Sequence, residues 1–104
     1  MTRSADEFKE RTKKFALRVI KLTASLPSGL NAQIIGKQLV RSGTSVGANY
    51  RAALRARSPA EFRAKLNIVL EEADETEYWL ELLSESKIFP RDRLVLSTTP
   101  SRDQ

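Results

Sequence analysis

Hydrophobic positions recur along the chain at steps of three and four, the spacing that puts side chains on one face of an α-helix. In the first stretch Phe8, Phe15, Val19, Leu22 and Leu26 form such a stripe, with Ala16 and Leu17 beside it; Lys9, Lys13, Lys14, Arg18 and Lys21 occupy the other face. Ser4 followed three residues later by Glu7 fits a capping box, so the spacing predicts a first helix from about Ala5 to Ser25. Pro27-Ser28-Gly29 then signals a turn, and Asn31 is the expected N-cap of the next helix.

The second stretch, residues 34–58, reads IIGKQLVRSGTSVGANYRAALRARS. Gly36, Val40, Gly43, Gly47, Tyr50 and Leu54 share one helical face, and Ile35, Leu39, Val46 and Ala53 form a second apolar stripe beside it. Each glycine inside a helix costs about 1 kcal/mol relative to alanine. Three of them on one face therefore predict a close helix–helix contact and a largely buried central helix. The alternative is a break into a helix, a Gly-Thr-Ser loop and a second helix.

Ser58-Pro59-Ala60-Glu61 supplies a cap, a proline at the first helical position and a glutamate at the third, and so starts a third helix. Phe62, Leu66, Val69, Leu70, Ala73, Leu80 and Leu83 carry its stripe, with Ile68, Trp79 and Leu82 flanking, and it should persist to Glu85. Lys87-Ile88-Phe89-Pro90 ends it; Pro90 can begin a short helix through Leu96, and residues 97–104 read as a disordered tail. No alternation long enough for a strand is present in the sequence. Short connections imply antiparallel neighbours. The expected fold is all-α: an antiparallel up-down helical bundle of three long helices plus a shortened fourth, with residues 1–96 as one domain.

Composition narrows the chemistry. A chain of 104 residues makes one domain with a modest core, small enough for oligomerisation to help it materially. With no cysteine and no histidine, there is no disulfide framework or thiolate site, and the commonest general base and transition-metal ligand are missing. No apolar run approaches the length of about 20 residues that spans a bilayer, and the opening MTRSADEFKER is too polar for a signal peptide. A cytoplasmic, bacterial-type protein with no membrane partner is the expectation.

Charge is segregated. Residues 37–65 hold seven basic groups, Lys37, Arg41, Arg51, Arg55, Arg57, Arg63 and Lys65, against the single acid Glu61. Residues 71–85 reverse the balance with Glu71, Glu72, Asp74, Glu75, Glu77, Glu81 and Glu85 and no base. Because the second and third helices meet at Ser58, the molecule should have a positive end and a negative end. Arginine offers phosphates bidentate geometry, so Arg51, Arg55, Arg57, Arg63 and Lys65, with Lys13 and Lys14 as additions, are candidate nucleic-acid contacts. A neighbouring subunit's acidic helix and plain solvation are the competing readings.

The acidic run is a weak metal candidate: Glu71 with Glu75, or Glu77 with Glu81, lacks the histidine that carboxylate-bridged bundles use. Nothing resembles an activated nucleophile with its base. Gly43-Thr44-Ser45-Val46-Gly47 lacks the lysine of a phosphate-binding loop. No cofactor and no enzymatic activity are expected. Tyr78 and Trp79 point about 100° apart on a helix, one toward the core and the other toward a boundary; base stacking by an exposed ring is the less favoured role.

QLVRSGTSVGANYRAALRARS followed by EFRAKLNIVLEEADETEYWLELL resembles the four-helix bundle protein family, also called the ribosomal S23 or 23S rRNA intervening-sequence proteins, over residues 8–89. The resemblance implies a small antiparallel bundle that assembles into a homopentameric ring without known catalytic activity. Some members are encoded within rRNA intervening sequences, and a similar protein is the accessory subunit of diversity-generating retroelements, partnered with a reverse transcriptase and nucleic acid. Arg41, Ser45, Val46, Gly47, Asn49, Tyr50 and Arg51 match the family's central helix, and Ser58, Phe62, Glu75, Thr76, Tyr78 and Trp79 match its third. By this resemblance Arg41 and Asn49 are buried polar groups that fix packing or register. The chain departs from the family where Ala52 replaces a common acid, where Glu71 replaces a common lysine, and where the fourth helix shrinks to Arg91 through Leu96.

Overall fold

Each apolar stripe winds into one helix in the computed structural model, which describes residues 3–88: α1 (Arg3–Ala24), α2 (Leu30–Leu54) and α3 (Pro59–Glu85). The expected short helix from Pro90 and the tail lie outside the described residues. Two expected caps are corrected. Ser4 lies inside α1 rather than capping it; Asp6 in the first turn suits the helix dipole wherever the helix starts, so the pattern locates this end only to within a turn. Gly29, not Asn31, is the N-cap of α2. It takes an extended backbone after the turn, and Gln33 reaches back to donate from Nε2 to the Pro27 carbonyl at 3.0 Å.

The α3 start follows the sequence signal closely. Ser58 Oγ accepts from the Glu61 N–H at 3.1 Å, and Glu61 Oε1 accepts from the Arg57 N–H at 2.9 Å, one residue earlier than the reciprocal bond of a capping box. At the other end Lys87 takes φ 62°, and its N–H donates to the Ser84 carbonyl at 3.2 Å. Such a left-handed residue after a helix is ordinarily glycine.

α2 runs unbroken through its glycines, which removes the loop alternative at Gly43-Thr44-Ser45. The hydroxyls there turn back onto their own helix: Thr44 Oγ1 donates to the Val40 carbonyl at 2.7 Å and Ser45 Oγ to the Arg41 carbonyl at 2.6 Å. The three glycines are buried against α1. A Cβ built on Gly36 would lie 3.1 Å from Leu26, one on Gly43 3.0 Å from both methyls of Val19, and one on Gly47 3.1 Å from Thr12. The partners descend as the glycines ascend, so α1 and α2 are antiparallel.

One position round from the glycines, α2 meets α3. Thr76 and Ser42, both buried, share a hydrogen bond at 2.9 Å, and Thr76 also donates to the Glu72 carbonyl at 2.7 Å. No buried side-chain nitrogen or oxygen among the described residues lacks a partner. α2 thus packs on both neighbours, whereas α1 and α3 do not approach each other closely along their backbones. Val19, Leu22, Leu39 and Leu83 form the central cluster that all three helices contribute to, with Phe15, Trp79 and Ile88 packed around it.

Candidate nucleic-acid interface

The α2–α3 connection brings the basic end of α2 against the basic start of α3. Arg51 is the basic residue in the last turn of α2, Arg55 is its C-cap, Arg57 lies in the connection, and Arg63 follows one turn into α3. All four are exposed, and Lys65 is half-buried. None of the five has an ion-pair partner among the described residues. Their closeness along a tight turn means mutual repulsion, and their guanidinium groups remain free to meet an anion.

Not every cation counted from the sequence belongs to this end. Arg41 lies mid-helix and bridges to α3: Nη2 meets Glu75 Oε2 at 2.5 Å and Nη1 meets Glu72 Oε1 at 3.2 Å. The expected burial of Arg41 is corrected, since its side chain is 46% exposed. A planar fork spanning two carboxylates does not need burial to fix the register between α2 and α3. Hydrogen bonds from Arg41 and then Trp79 Nε1 hold the Glu75 carboxyl below its usual value, and the same pairing with Glu75 and then Glu72 raises Arg41. Asn49, half-buried, donates from Nδ2 to the Ser45 carbonyl at 2.9 Å and so serves its own helix.

Antiparallel packing carries the start of α1 to the basic end. Phe8 and Tyr50 stack edge to face with ring centroids 4.7 Å apart, so Lys9 and Arg11 lie nearer Arg51 than do Lys13 and Lys14. Those two follow Thr12, which is level with Gly47, and Lys13 is drawn into an ion pair with Glu10 at 3.6 Å. Lys9 and Arg11 were missing from the sequence-derived set. The glycine face alone does not say which helix it meets, and without that partner the height of α1 along α2 is undefined.

Trp79 enters the boundary of the core and donates to Glu75, while Tyr78 is 53% exposed on the acidic helix. No group of three or more histidine, cysteine or acidic side chains among the described residues could hold a metal ion. No helix among them is long and apolar enough to cross a membrane.

Geometry and charge together define an all-helical protein built on a glycine-lined central helix. The chain belongs to the 23S rRNA-intervening sequence protein family, which matches residues 6–96. It is similar to a crystal structure of a protein with unknown function from the S23 ribosomal protein family of Bacteroides thetaiotaomicron, at 42% identity over 89% of this chain and 83% of that one, with a TM-score of 0.82. No curated protein matches the chain. The family is not a known enzyme family.

Proposed function

We propose that this protein is a non-enzymatic, oligomeric helical bundle whose basic end binds RNA. One contrast carries the reading. Arg41, in the middle of the hairpin, is matched by two carboxylates, whereas Arg51, Arg55, Arg57, Arg63 and Lys65 gather at the turn against the single acid Glu61 of the hairpin, and none of them has an ion-pair partner among the described residues. A matched cation serves the fold; an unmatched cluster serves an anionic partner. Membership in a family named for rRNA intervening sequences agrees with that partner.

Assembly is part of the same proposal. Leu17, Ile20, Leu30, Ile34 and Leu70 are exposed, apolar surface that contact between subunits would bury. A pentameric ring would cover such surface and would multiply weak phosphate contacts by avidity. The test is light scattering across a salt series with RNA bound, on the wild type and on Arg55→Glu/Arg57→Glu. An intact oligomer that loses RNA in the variant supports the reading. The second reading is a scaffold whose basic and acidic ends mate between subunits, favoured by the acids of α3; dissociation of the oligomer in the same variant supports it instead.

A further inference from the structure

Among the described residues, two flat rings stand exposed near the cations of the basic end, Phe62 beside Arg63 and Phe8 between Glu7 and Lys9. Phe62, 37% exposed, sits one turn into α3, with Arg63 beside it and Lys65 one turn on. Its N–H donates to the Ser58 carbonyl at 2.9 Å, so the capped turn that displays Arg55 and Arg57 also fixes the ring's helix. Phe8, 40% exposed, is braced edge-on by Tyr50, the residue before Arg51, with Arg11 one turn along α1. The remaining exposed ring among the described residues, Tyr78, lies among Asp74, Glu77 and Glu81, where a phosphate backbone is repelled.

We infer that the basic end takes single-stranded rather than duplex RNA, with unpaired bases laid on the rings of Phe62 and Phe8 while the surrounding arginines hold the backbone. The inference rests on the RNA-binding reading above and names the form of RNA. In a duplex the base faces are already stacked on each other, and the A-form major groove is too deep and narrow for side chains to read, so exposed rings gain nothing there. In a single strand each base offers a free face, and a ring beside a cationic groove binds it with little regard to sequence.

The experiment measures fluorescence anisotropy of a labelled oligouridylate and of an RNA duplex of equal length, with wild type, Phe62→Leu and Phe8→Leu, thermal melts confirming the fold. Leucine keeps apolar volume and removes the stacking face. Wild type should prefer the single strand, and each variant should lose about tenfold in affinity for it, the worth of one stacked base, with duplex binding unchanged. If Phe8→Leu fails to fold through loss of the Tyr50 contact, Phe62→Leu alone decides. As a readout independent of folding, photocrosslinking with 4-thiouridine should mark the peptides that contain Phe62 and Phe8. Equal affinity for both RNA forms, or variants indistinguishable from wild type, overturns the inference and leaves RNA binding standing. Binding to anionic lipid vesicles with none to either RNA overturns both.

Discussion

A methyl group added at two of the α2 glycines should have opposite effects. At Gly43 it would meet both methyls of Val19 at 3.0 Å and its Cβ at 3.3 Å, and a branched, 2% exposed side chain has no free rotamer to retreat into. Overpacking of that kind costs about 1–3 kcal/mol, more than the roughly 1 kcal/mol that alanine returns in helix propensity. Gly43→Ala should therefore destabilise. At Gly36 the neighbour is the far methyl of Leu26, a half-buried, flexible residue beyond the end of α1, so Gly36→Ala should be neutral or stabilising by up to about 1 kcal/mol. Urea unfolding of both variants separates the cases. The spacing of Gly36, Gly43 and Gly47 foretold a close approach but not its partner. Val19 and Thr12 lie on a stripe of α1 that reads equally well as facing any helix.

Among the elements, the start of α3 was the most legible, because cap, proline and glutamate fall in the only order that satisfies its first backbone N–H groups. Ser58→Ala should cost about 1 kcal/mol, read as a lowered urea midpoint. The ends at Ser4 and Asn31 were misplaced, since several small or polar residues there can start a helix at similar cost. The α2–α3 register was invisible in the sequence. It depends on Arg41 reaching Glu72 and Glu75, 31 and 34 residues further along the chain, and only antiparallel pairing brings them level. This bridge has a pH signature. Glu75 ionises below its usual 4.5 in the folded chain, so in the unfolded chain it takes up protons first as the pH falls. Its stabilising contribution is complete above 4.5 and is lost as the pH drops through the depressed value. Melting temperatures followed from neutral pH into that acidic range should fall less steeply in Glu75→Gln than in wild type.

At the scale of the whole molecule, the segregation of charge along the α2–α3 hairpin follows from residue order alone, whereas the place of α1 depends on packing that sequence does not encode locally. Lys9 and Arg11 join the basic end only through the Phe8–Tyr50 contact. RNA binding at that end predicts a log–log salt dependence with a slope of about 0.7 per phosphate neutralised on a single strand. Arg55→Glu/Arg57→Glu should flatten it, and an unchanged slope would place the contact elsewhere.

Because the backbones of α1 and α3 each approach α2 and not each other, meeting only through the side chains of the central cluster, the three helices should open to solvent in sequence. α1 is held over the glycines by steric fit, while α3 adds the Arg41 bridge and the Thr76–Ser42 bond. Amide hydrogen exchange should therefore be fastest in α1, intermediate in α3, and slowest in α2, whose amides are released only when both neighbours have let go. α1 is then the part of the molecule whose departure, long before global unfolding, would uncover the glycine groove to any helix small-faced enough to enter it.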